Sequence, residues 1–247
     1  MTDANLRELE RRFRASGTVE DEAAWLRARL YSGELEQSRL EIAAHLGHGG
    51  ALTALALPPD PSRDPTAQIE AMRTRDVGSA DERLALRRER YQAGEDALRL
   101  LDGLRSFGLE ACVRAAAAAV GLLEARFKSL EPSSRAYRAS LDWLECPTQE
   151  FSEECRRLAD LIAPRFNDSG WKQHAVKCLA AAAGSGQGGE GTAIEAIRYV
   201  GTAGCSMSQV LAVIVENVVP WALGYPEGLG DSDPFCERAE ARQQDQG

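Results

Sequence analysis

Apolar side chains along this chain recur three and four residues apart almost from end to end, and glycine and proline cut the pattern into short segments. An apolar stripe of that period is buried only by packing helix against helix. No segment shows convincing two-residue alternation. The stretch 210–219 is rich in β-branched residues, but its length and flanks favour a buried helix. The chain therefore reads as all-α: an array of antiparallel helical hairpins of the HEAT or armadillo kind, or an irregular helical bundle.

The punctuation divides the chain. Residues 1–57 read as an N-terminal unit of four short helices. The first follows Asp3 and ends at Ser16-Gly17. The second is capped by Thr18, with Asp21 completing a capping box, and ends at Ser32-Gly33. The third runs over 34–46 and the fourth over 51–57. Pro58, Pro59, Pro61 and Pro65 make 58–65 a stiff linker, since proline lacks an amide hydrogen and biases its predecessor away from helix. An alanine-rich array is expected over 66–224. Within it Gly94 is a candidate break, Ser79 with Glu82 a second capping box, 109–127 one long helix, Pro132 a first-turn residue, and Asn167–Ser169 a cap. A polar, frayed tail is expected over 225–247.

Of 247 residues, 44% are hydrophobic, enough for a real core, and the formal net charge is −9. Lys128, Lys172 and Lys177 are the only lysines, and the arginines are interleaved with acids. Direct nucleic-acid contact and anionic membrane surfaces are disfavoured for want of a basic stripe. Residues 1–14 are charged throughout, unlike a signal peptide. No apolar run reaches the roughly 18 residues needed to span a bilayer. The cytoplasm is the expected location. Cys112, Cys146, Cys155, Cys178, Cys205 and Cys236 form no C-x-x-C pair and read as free thiols.

Chemical motifs are sparse. Gly184-Ser185-Gly186-Gln187-Gly188-Gly189 matches G-x-G-x-x-G by letter, but an alanine-rich helix precedes it where a dinucleotide site needs a strand. An interhelical loop is the simpler reading. His45 and His48, with Glu41, have the spacing of a helical metal site, although the glycines around His48 put the pair at a helix end; they are weak metal candidates. Glu153-Glu154 and Asp231 with Asp233 are acidic pairs without catalytic geometry. No nucleophile signature accompanies His45, His48 or His174, so no catalytic residue and no cofactor is expected. Trp143, Trp171 and Trp221 are candidate binding residues if their faces are free; Trp25 reads as core.

One stretch has a familiar look. Glu110-Ala111-Cys112-Val113-Arg114 is followed by Pro132, then Arg135-Ala136-Tyr137-Arg138-Ala139-Ser140-Leu141-Asp142-Trp143-Leu144-Glu145-Cys146-Pro147. It resembles the alanine-rich helical immunity proteins of bacterial toxin systems, and 6–55 looks like a helical module found beside such regions. The resemblance covers about half the chain and implies no catalytic residues. The expected function is a non-catalytic, protein-binding helical scaffold, an immunity or regulatory partner in a bacterial conflict system. An acidic chain suits a basic toxin or another complex partner by electrostatic steering. The alternatives are an enzyme or small-ligand binder with an interhelical site near a histidine, and an accessory subunit of a larger complex, a nucleic-acid-handling one among the options, presenting an arginine face over 83–90.

Overall fold

The computed structural model describes residues 3–59, 64–72, 80–127, 130–163, 170–186 and 188–225, without the side chains at 3, 80, 81, 83, 84, 87, 90, 126 and 127. The chain is all-α: among the described residues there is no strand. The helices are α1 (Asp3–Ser16), α2 (Val19–Ser32), α3 (Gln37–His45), α4 (Gly49–Ala54), α5 (Pro65–Met72), α6 (Ala80–Gly103), α7 (Leu109–Gly121), α8 (Glu124–Phe127), α9 (Ser133–Glu145), α10 (Gln149–Leu161), α11 (Gly170–Gly184), α12 (Glu190–Thr202) and α13 (Met207–Leu223). A 3-10 turn, Leu104–Phe107, follows α6.

Local chemistry sets many of the boundaries. Thr18 and Thr148 accept hydrogen bonds from the Asp21 and Phe151 amides, capping α2 and α10. Gly33, at φ 78°, ends α2, and the Glu34 and Leu35 amides both donate back to the Arg29 carbonyl. Those two residues are thus spent on terminating α2, and α3 starts at Gln37 rather than at the expected 34. The fourth helix begins earlier than expected because His48 caps it, its Nδ1 accepting from the Ala51 amide at 3.3 Å. Gly94 does not split α6, which runs through it. The expected helix over 109–127 is broken at Leu122 and Leu123, whose amides bond three residues back instead of four. The stretch 210–219 lies wholly within helix α13. Residues 60–63, Ser79 and 167–169, named above as linker and caps, lie outside the described residues.

Two compact units divide the chain: Met1–Pro59 with Val219–Gly247, and Asp60–Val218. The end of α13 is counted with the first unit, whereas the sequence pattern groups it with the array. In the first unit α2 packs on α1 and α4, and α3 on α4. Ala23, Leu26, Leu40, Ala43, Leu46 and Ala51 are fully or almost fully buried there. In the second unit α11 is central, touching α7, α9, α10 and α12, while α7 also meets α9 and α12. Repeat arrays restrict each repeat to its neighbours; this unit has the contacts of an irregular bundle.

The alanines explain how the helices of the second unit come so close. Ala115, Ala116 and Ala119 of α7, Ala180, Ala182 and Ala183 of α11 and Ala193 and Ala196 of α12 have no exposed surface. At the end of α11 a Cβ on Gly184 would lie 2.8 Å from the Arg156 backbone nitrogen. Only glycine admits α10 there. Arg156 then caps α11, its Nη2 donating to the Gly184 carbonyl at 2.6 Å.

Candidate functional site

A cluster of polar and aromatic groups lies in the first unit. Its base is α2, whose opening turn carries Glu20, Asp21 and Glu22, favoured at the positive end of the helix dipole. Asp21 accepts from Arg12 at 2.6 Å. A hydrogen bond from Ser16 and the Arg12 charge hold its carboxyl below the usual range, against the effect of burial.

Glu22 points toward α4 and is only 8% exposed. A carboxylate so buried needs donors around it. The Tyr225 hydroxyl donates to Oε1, and His48 Nε2 faces the same oxygen at 3.5 Å. Because His48 Nδ1 accepts from the Ala51 amide, the neutral ring carries its proton on Nε2, directed at Glu22. The carboxylate also rests on Gly50, where an added Cβ would meet Oε2 at 2.1 Å.

One turn beyond Asp21, Trp25 is stacked between Phe13 and Tyr225, with centroids 5.5 and 5.8 Å away. Arg29, a further turn on, lays its guanidinium 4.9 Å from the Trp25 ring centroid. It also donates to the Leu223 and Gly224 carbonyls, at 2.5 and 3.5 Å, so a cation sits at the negative end of α13. Gly224 has φ 57°, and a Cβ on it would come 3.2 Å from Arg29 Nη2. Burial lowers the Arg29 pKa, and Glu34, Tyr225 and Glu10 oppose that shift.

Above this guanidinium opens a cleft of about 370 Å³, lined by Leu6, Arg7 and Glu10 of α1, Trp25 and Arg29 of α2, Glu34, and Gly224. Glu10 is paired with Arg14 at 2.6 Å. Among the described residues, Arg29 has no hydrogen-bond acceptor beyond the two carbonyls, and the Arg7 side chain has none.

The residues singled out in the sequence are dispersed. Trp143 is 6% exposed and donates from Nε1 to Ser152 Oγ at 2.9 Å, fastening α9 to α10; its indole belongs to the core, not to a free face. Trp171 is half-buried in a three-ring group with His174 and Tyr199, at 5.9 and 5.7 Å. Burial, and then the Lys177 charge, push the His174 pKa down. Trp221 is half-buried, with the Arg39 guanidinium 4.9 Å from its ring. His45 ends α3, while His48 is committed to its cap and to Glu22. Among the described residues no group of three or more His, Cys, Asp or Glu is placed to hold a metal ion. None of the three histidines lines the cleft.

The five described cysteines are free thiols, and burial pushes Cys112 up to about 12 and Cys155 and Cys178 up to about 11. No described helix is long and apolar enough to cross a membrane. The side chains of the arginines at 83, 87 and 90 are not described, and the acidic pair Asp231 and Asp233 and Cys236 lie outside the described residues.

Sequence reasoning missed Arg29, Glu22 and Tyr225. The polar composition after Gly224 predicts a frayed tail from Tyr225 on, whereas Tyr225 is stacked on Trp25. A Trp and an Arg four residues apart on one helix was the only local signal; their partners lie some 200 residues away. No family model matches this chain, and neither a curated protein nor a solved structure matches it.

Proposed function

We propose that this chain is a non-catalytic helical scaffold that binds another protein. One observation carries the reading. Tyr31 on α2 and Tyr91 on α6 are 79% and 71% exposed, while Tyr137 is buried and Tyr199 and Tyr225 are stacked among other rings. A solvent-facing tyrosine offers a large amphipathic surface with few torsions to immobilise, and tyrosine is among the residues enriched at binding hot spots. The net charge of −9 suits a basic partner. The finer reading, an immunity or regulatory partner in a bacterial conflict system with a basic toxin as its target, is supported by that charge and by the resemblance of residues 110–147.

The test compares the chain with its Tyr31→Ser/Tyr91→Ser variant as bait in a lysate of the source organism. The expected result is one partner held in stoichiometric amount by the parent chain, released by salt and lost from the variant. Turnover of a small molecule by the purified chain, with no partner recovered, would refute the reading.

A further inference from the structure

We infer that the cleft between α1 and α2 is a binding site for a small carboxylic acid, with Arg29 and Arg7 as the groups that grip the carboxylate. The inference is independent of the protein-binding reading, and its test uses no protein partner.

The lining supplies the reason. Arg29 is held in place on three sides, by the Trp25 ring and by the Leu223 and Gly224 carbonyls. A guanidinium has five N–H donors in a rigid fork. Two of the Arg29 donors go to those carbonyls, and the others have no acceptor among the described residues. The group is therefore immobilised before any ligand arrives, which reduces the entropy lost on binding. Its two hydrogen-bond acceptors are neutral carbonyls, and the nearby Glu34 carboxylate is the chief charge acting on it.

The other charges of the cleft agree. Of its four ionic residues, Arg7 and Arg29 are cationic and Glu10 and Glu34 anionic. Glu10 is engaged in an ion pair with Arg14 at 2.6 Å, which brings a third guanidinium to the edge of the cleft. With Arg14 counted, three guanidinium groups face two carboxylates, a local positive excess in a chain of net charge −9. A planar carboxylate matches the guanidinium fork in a bidentate manner, which a tetrahedral or spherical anion does less well. The volume, about 370 Å³, lies at the lower end of the range for small-ligand sites and fits a molecule of a few carbons, with Leu6 beside it as an apolar wall.

The test is a titration of the full chain followed by the arginine Nε–Hε signals in nitrogen–proton correlation spectra. The probes are glutarate, triglycine as the free acid, triglycine amide, inorganic phosphate, and sodium chloride at matched ionic strength. The expected result is a saturable shift of the Arg29 signal with glutarate or the free-acid peptide, and none with the amide or with chloride. Stronger binding of glutarate would identify a free small acid as the ligand, and stronger binding of the peptide a chain-terminal carboxylate. Arg7→Gln, at an exposed position, and Arg29→Lys, which keeps a cation near the α13 carbonyls, should each weaken binding about tenfold or more. Glu34→Gln, which removes the unpaired carboxylate, should tighten it. Equal binding of the amide or of phosphate, a chloride response as large as that of glutarate, or unchanged affinity in Arg7→Gln would each overturn the assignment.

Discussion

Replacing Gly50 by alanine and Gly94 by alanine makes the same chemical change in two helices, yet the structure demands opposite outcomes. In a helix interior alanine is favoured over glycine by about 1 kcal/mol. Around Gly94 of α6 a new Cβ meets nothing within 4 Å, so Gly94→Ala should gain that amount. At Gly50 of α4 the new Cβ would lie 2.1 Å from Glu22 Oε2 and 2.6 Å from its Cδ. The carboxylate would have to move, and it is buried, holding the Tyr225 hydroxyl and facing His48. A hydrogen bond to a charged group contributes about 1.5–3 kcal/mol. Setting the helix gain against the loss of one such bond leaves Gly50→Ala destabilised by about 0.5–2 kcal/mol. Urea titration read by amide hydrogen exchange separates the two sites, because peptides from α4 and α6 report their own opening. If Gly50→Ala is as stabilising as Gly94→Ala, the buried carboxylate does not hold this part of the unit together.

Iodoacetamide at pH 8 should label exposed Cys146 in the native state, whereas Cys112 and Cys155, buried and with pKa values of about 12 and 11, should label only in denaturant; peptide mass mapping distinguishes the two classes. Asp21 has a folded pKa below its unfolded value, so its contribution to stability is complete above about pH 4 and is lost as pH falls through the folded value. Asp21→Asn should therefore flatten the acid limb of a stability-versus-pH curve, and an unchanged limb would contradict the Ser16 and Arg12 interactions. Trp143→Ala should cost about 3–5 kcal/mol, as expected for a buried aromatic, and Trp143→Phe about 1 kcal/mol for the hydrogen bond to Ser152; chemical denaturation measures both.

Much of the fold was legible because helices are made by interactions three or four residues apart. Thr18 caps where its spacing to Asp21 says it should, and the alanine-rich stretches are the faces on which α7, α11 and α12 meet. Boundaries slipped where a tertiary or capping contact intervened: His48 starting α4, or Glu34 and Leu35 bonding back to Arg29. The candidate site was almost invisible. A histidine pair with metal-like spacing turned out to be a helix end and a cap, and the tryptophan in the segment of clearest resemblance proved to be core.

What the sequence determined by itself is the class of the fold and most of its segments, since period, caps and breakers are written within a few residues of where they act. Only the tertiary structure decided which charged and aromatic groups would meet. Tyr225 lies 203 positions from Glu22, and Leu223 lies 194 from Arg29. No periodicity links residues so far apart; they are joined by the burial of the helices that carry them, and the cleft over Arg29 exists only because α1, α2 and the end of α13 are folded into one unit.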